Sequence, residues 1–133
     1  MRTALDTSVL LDVIVDDRAW ATRSGRALSE AMQAGALVIG ESVLAEVVPA
    51  LPGGLLGEFM ADWHIEFVAS SQESAELAGA MFAAYLARTG AARRVLPDFL
   101  IGAHAFCHAD RLLARDRGYY RDYFHGLKVI EPR

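Results

Sequence analysis

Five short apolar segments, residues 2–5, 36–40, 65–69, 111–115 and 127–130, carry the β-branched or leucine content of buried strands, and helical patterns lie between most of them. Consecutive strands joined by a helix run parallel, and such a sheet is apolar on both faces and needs helices on each. This alternation predicts an α/β fold. It also predicts where chemistry would sit. Ligands of parallel sheets bind beyond the carboxyl ends of the strands, at the point where strand order reverses.

Local signals place the helices. Thr7 or Ser8 can cap a helix through Leu10, Leu11 and Ile14. Asp16 or Asp17 can cap a second through Ala27, Leu28 and Met32, with Gly35 as a left-handed stop. Ser42 can open residues 43–48, which Pro49 must end or kink. Ser70 with Glu73 forms a capping box before Leu77, Met81, Phe82 and Tyr85, closing near Gly90. Pro97 stands where a first helical residue tolerates proline, ahead of Ile101, Ala105 and Ala109. No linker divides the 133 residues, and Pro52-Gly53-Gly54 reads as a turn, so one domain over 1–133 is expected.

Charge bears on the partner. The net charge of −4 argues against a tight duplex binder, because Lys and Arg neutralising phosphates supply most nucleic-acid affinity. It counts less against a metalloenzyme, whose clustered carboxylates are acidic until cations fill them. No apolar run approaches the roughly 20 residues needed to span a bilayer. The apolar N-terminus is interrupted by Asp6 and Asp12, unlike a signal peptide. The single Cys107 suits a reducing cytoplasm and reads as a small core residue.

Four acids stand out. Asp6 directly follows the first strand and Asp116 the fourth; if those strands are neighbours, the two face one another across the switch point. Asp98 opens the helix before the fourth strand, at the same sheet edge, and Glu46 lies in the helix after the second, within the mostly apolar ESVLAEVVPAL. A carboxylate there is costly to bury unless something positive meets it. Hard divalent cations take oxygen ligands, and Mg²⁺ binds through one or two carboxylates while keeping several waters. Acids from four elements can hold one or two such ions, which activate water against a phosphodiester. Each acid alone also has a plain structural role, as a helix cap, a first-turn acid or an exposed helix residue.

Other residues compete for attention. Glu41 follows the second strand sooner than Glu46, but capping explains it. Asp12 reads as solvated or paired with an arginine, and Asp122 as an exposed loop acid. Arg93, Arg94, Arg115 and Arg117 flank Asp98 and Asp116; they either contact phosphate or form a solvated face. Tyr119 and Tyr120 suit core or dimer packing better than base stacking. His104 and His108 share a helix face without a third soft ligand and read as ordinary helix histidines. Leu55, Leu56, Phe59, Met60 and Trp63 form an apolar stripe that packs the core or lines a groove for a partner helix.

Taken in order, LDTSVLLD, an acid within LAE after the second strand, PDFLIGAHA, and LLARDRGYYRDYF before a last short strand resemble a PIN domain. The last two are similar to those of VapC-type toxins. The likeness covers nearly the whole chain. It implies a three-layer α/β/α fold with a five-stranded parallel sheet in order 3-2-1-4-5, which sets strands 1 and 4 side by side. It further implies Mg²⁺-dependent RNA cleavage, with Mn²⁺ able to substitute, inhibition by a cognate antitoxin, and a homodimer or higher toxin–antitoxin assembly. The family's metal-binding acids map to Asp6, Glu46, Asp98 and Asp116, and its supporting hydroxyl to Thr7 or Ser8.

Two other phosphate chemistries fail at named positions. A haloacid-dehalogenase phosphatase needs an Asp two residues after the first, where Ser8 stands. A receiver domain wants a phosphoacceptor after the third strand, where the chain reads IEFVASS. A different class, a catalytically silent PIN-like module kept for protein assembly, remains the alternative to a nuclease.

Overall fold

The computed structural model describes residues 1–90, 95–116 and 118–133; Arg93, Arg94 and Arg117 lie outside them. Five strands, β1 (Arg2–Leu5), β2 (Ala36–Ile39), β3 (Ile65–Phe67), β4 (Arg111–Leu113) and β5 (Val129–Ile130), form one sheet in the order β3-β2-β1-β4-β5. Every pairing is parallel, with Ala4 opposite both Val38 and Leu112. Helices α1 (Thr7–Ile14), α2 (Ala21–Ala34), α3 (Glu41–Val47), α4 (Leu55–Asp62), α5 (Gln72–Thr89), α6 (Leu96–His108) and α7 (Tyr119–Tyr123) cover both sides. The chain leaves central β1 toward β2 on one side and returns through β4 on the other, so the switch point lies between β1 and β4 as expected.

Apolar residues at most positions of the central strands explain why they are buried on both faces. Ala4, Leu5, Leu37, Val38, Ile39, Leu112 and Leu113 are almost wholly removed from solvent. Phe99 of α6 anchors an aromatic group with Phe82, Tyr85, Tyr119, Tyr123 and Phe124, ring centroids 5.3–6.2 Å from its own. That group pins α7, and with it the loop carrying Asp116, against α6. Gly102 permits the fit, because a β-carbon there would come within 2.5 Å of the Phe124 ring.

Helix ends depart from expectation in instructive ways. Asp6, not Thr7 or Ser8, caps α1. The capping box of α5 joins Ser71 to Ser74 and not Ser70 to Glu73, since the Ser70 amide already donates to Glu41 at 3.0 Å. Asp17 accepts from the amides of Ala19 and Trp20, so α2 begins only at Ala21. Gly35 is not a left-handed stop. It adopts φ 155°, ψ −149°, where a β-carbon would collide with the Met1 carbonyl. Pro49 ends α3 as a 3₁₀ turn over Val48–Ala50, Pro97 sits in the first turn of α6, and Gly90 closes α5 in the left-handed conformation.

Candidate active site

Asp6 stands where β1 becomes α1, and its amide donates to the Leu113 carbonyl of β4 at 2.9 Å. Its carboxylate is held from two sides. Oδ2 accepts from the Ser8 amide at 3.1 Å and from the Ser8 hydroxyl, while Oδ1 accepts from the Tyr120 hydroxyl at 2.5 Å. Asp6 is 6% and Tyr120 3% exposed, so little water competes for these bonds. Burial pushes the Tyr120 phenol far above its usual range, and the charge and hydrogen bond of Asp6, then Asp98 and Asp116, push it the same way. The phenol is therefore a fixed donor. Three of the four acids expected from the sequence act electrostatically on this one hydroxyl.

Asp6, Glu46 and Asp98 line a single cavity of about 360 Å³ together with Thr7, Ser8, Arg115 and Tyr119. Glu46 is exposed and not buried, which removes the burial cost its apolar sequence suggested. The Thr7 hydroxyl donates to Glu46 Oε1 at 2.7 Å. Both hydroxyls beside the first acid thus orient a carboxylate, Thr7 that of Glu46 and Ser8 that of Asp6. Glu41 serves otherwise. Burial raises its carboxyl, but the hydrogen bonds from Ser70 outweigh this and hold it below the ordinary value, so it ties α3 to the loop before α5.

Asp116 does not line this cavity. Its side chain is 1% exposed and turned onto the backbone: Oδ1 accepts from the amides of Gly118 at 2.8 Å and Tyr120 at 3.3 Å, and Oδ2 from that of Arg121 at 3.3 Å. The Arg121 guanidinium adds a contact at 3.5 Å. Asp116 is placed as a cap that orders α7 and so holds Tyr120 against Asp6. Among the described residues, no three His, Cys, Asp or Glu side chains come close enough together to hold a metal ion.

The remaining residues fall into structural roles. Asp12 is buried, accepts from Ser24 Oγ at 2.6 Å and pairs with Arg115 at 2.9 Å, so the positive wall of the cavity is anchored from beneath. His104 Nε2 donates to the Val68 carbonyl at 2.6 Å; burial lowers its pKa, opposed by that hydrogen bond and by Glu41, with His108 adding to the lowering. Cys107 is half-buried, not a core residue, and burial raises its thiol pKa. Asp122 is exposed. Tyr120 is the site residue that sequence reasoning missed as a hydrogen-bond donor. Its partner lies 114 positions away, and only the β1–β4 adjacency hints at the meeting.

No protein-family model and no curated protein sequence matches the chain. Solved structures do. A chain of the VapBC2 complex from Rickettsia felis, bound to a DNA fragment from its promoter, superposes with a TM-score of 0.75 over 100% of both chains at 18% identity. A toxin–antitoxin complex from Klebsiella pneumoniae matches with a TM-score of 0.61 over 98% of each chain at 22% identity. FitAcB from Neisseria gonorrhoeae matches with a TM-score of 0.65 over 96% of each chain at 18% identity. With its 3-2-1-4-5 sheet spanned from end to end by these matches, the chain has the PIN-like fold found in VapBC-type toxin–antitoxin structures.

Proposed function

We propose that this chain is a divalent-cation-dependent endoribonuclease, the toxin of a toxin–antitoxin pair. The observation that carries the reading is the meeting of Asp6, Glu46 and Asp98, from three separate elements, in one cavity at the strand-order reversal. The donor set fits a hard cation such as Mg²⁺ or Mn²⁺: carboxylate and hydroxyl oxygens line the cavity, and no Cys or His does. Three carboxylates are not within common reach of one ion among the described residues, so the fit rests on donor chemistry and the shared cavity. When bound, the cation would supply charge neutralisation and an acidified water for phosphodiester hydrolysis.

The chain's own residues would do the positioning. Asp6, Glu46 and Asp98 would surround the cation, directly or through its bound waters, with Ser8 and Tyr120 fixing both oxygens of Asp6 and Thr7 fixing Glu46. Asp116 would act through α7 and Tyr120, either in addition to or in place of direct ligation. Arg115, at the cavity wall, would meet a substrate phosphate. The partner would be an antitoxin whose helix lies along residues 55–63. Leu55 is 49% exposed, whereas Leu56, Phe59, Met60 and Trp63 pack partly against the core. A disruptive test therefore belongs at Leu55, since charges at Phe59 or Trp63 would also damage the fold. That the solved structures it resembles include VapBC and toxin–antitoxin complexes supports this partner, and a homodimer or higher toxin–antitoxin assembly is part of the same proposal.

The inward turn of Asp116 favours a second reading, a catalytically silent protein-binding module of the same fold. Incubating purified protein with single-stranded RNA in Mn²⁺ and in EDTA separates the two. Cleavage that needs the cation and disappears in Asp98→Asn supports the nuclease. Intact RNA, together with melting unchanged between EDTA and Mn²⁺, supports the silent module.

A further inference from the structure

We propose that a second cavity, between α2 and the β4–β5 edge, is a phosphate-binding track that carries single-stranded RNA to the acidic cavity. The idea rests on the nuclease reading above and adds to it a substrate site on a different part of the surface. This cavity, of about 740 Å³, is larger than the acidic one. Arg23 and Arg26 enter it from α2, Arg111 from β4, Arg121 from α7, and Arg133 from the segment after β5. Glu30 and Glu131 are the acids on its wall. A chain of net charge −4 has gathered five guanidiniums in one cleft, against its overall sign.

Most of this charge is uncommitted. Arg121 is engaged by Glu131 at 2.9 Å and by Asp116, but Arg23, Arg26 and Arg111 form no ion pair among the described residues. Arg111 donates to Thr3 Oγ1, a neutral partner that orients a guanidinium without cancelling its charge, and Arg26 donates to an Arg133 backbone oxygen. An array of oriented guanidiniums fits phosphate oxygens in pairs.

One aromatic ring lies between an arginine of each cavity. Trp20 has the Arg23 guanidinium 4.9 Å from its ring centroid and that of Arg115 at 4.8 Å. Arg23 lines the basic cavity and Arg115 the acidic one. A line of cations interleaved with one aromatic ring thus runs from α2 to the wall beside Asp6. This placement answers the problem that net charge poses. Repulsion from the acidic chain is offset locally where the strand must lie, and the acids stay clustered where a cation would be needed.

The test is RNA binding followed by fluorescence anisotropy in EDTA, so that cleavage cannot intervene, with a labelled single strand of about twelve nucleotides. Arg23→Gln/Arg26→Gln, both at exposed positions, is expected to bind about tenfold more weakly and to lower the log–log salt slope by about 1.4, at about 0.7 per lost phosphate contact. Glu30→Gln is expected to bind more tightly, a gain that misfolding cannot mimic. Unchanged affinity and salt slope in both variants would overturn the track, as would wild-type protein that binds no RNA. So would unchanged RNA binding with lost capture of a co-expressed protein partner, which would make the cleft a protein interface. Cleavage by wild type in Mn²⁺ is scored separately. Binding through the cleft without cleavage sinks the nuclease reading and leaves the track standing; cleavage with unaltered binding in both variants does the reverse.

Discussion

Replacing Tyr120 by Phe removes one oxygen from a packed interior and leaves Asp6 Oδ1 without its 2.5 Å donor. The ring stays in the core, so no side-chain-sized void opens. A hydrogen bond to a charged group contributes about 1.5–3 kcal/mol, and the low exposure of both partners leaves little water to replace it. At this chain length about 1 kcal/mol moves Tm by about 3 °C, so a fall of about 5–9 °C is expected. Tyr123→Phe is the control: among the described residues its hydroxyl meets only Arg88, at 3.5 Å on the surface, and its loss should cost under about 0.5 kcal/mol. The pH dependence sharpens the test. Burial holds the Tyr120 phenol well above its unfolded value of about 10. Above pH 10 the unfolded chain loses that proton while the native state keeps it, so the native state binds more protons and loses stability as pH rises. The advantage of wild type over Tyr120→Phe should be constant below about pH 10 and shrink by about 1.4 kcal/mol per pH unit above it. Urea unfolding of both proteins from pH 8 to 11 measures this. A Tyr120→Phe protein as stable as wild type, or a gap that ignores pH, would refute the buried hydrogen bond.

Two further outcomes follow from buried charge and a buried imidazole. Asp12→Asn leaves the Arg115 guanidinium over Trp20 without its anion and should cost about 2–3 kcal/mol in urea unfolding, below the 3–5 kcal/mol typical of a fully buried pair because Arg115 is 32% exposed; a loss under about 0.5 kcal/mol would contradict the pairing. His104, its pKa lowered by burial, takes up its proton at lower pH in the native state than in the unfolded chain, so stability should fall as pH drops below about 6.5, by at most about 1 kcal/mol between pH 6.5 and 5.5, relative to His104→Gln, whose amide can still donate to Val68. Equal pH slopes for the two proteins would contradict this.

Reading the strands worked because parallel-sheet strands are nearly uniform apolar runs, and their boundaries differ by at most two residues at any end. Asp6 and Asp98 were visible for a related reason: strand ends and helix starts project to the same sheet edge, so position in the pattern fixes place in space. What stayed hidden depends on the direction of side chains. Nothing local distinguishes Ser70–Glu73 from Ser71–Ser74 as the cap of α5; the choice falls to Glu41, 29 residues earlier, which takes the Ser70 amide. Asp116 was correctly placed at the end of β4, but the turn at Gly118, φ 102°, brings three amides onto its carboxylate and faces it away from the cavity. The basic cleft was illegible because its arginines come from three elements and the segment after β5, and from no single run of sequence.

The central claim is that the cavity shared by Asp6, Glu46 and Asp98 binds a divalent cation, and Mn²⁺ binding followed by electron paramagnetic resonance tests it most directly. Wild type is expected to remove Mn²⁺ from the free signal at a saturable site. Asp6→Asn, Glu46→Gln and Asp98→Asn should each weaken that site by more than about tenfold while circular dichroism stays native. A wild-type protein that leaves the free Mn²⁺ signal unchanged, or three variants that bind as wild type does, would contradict it.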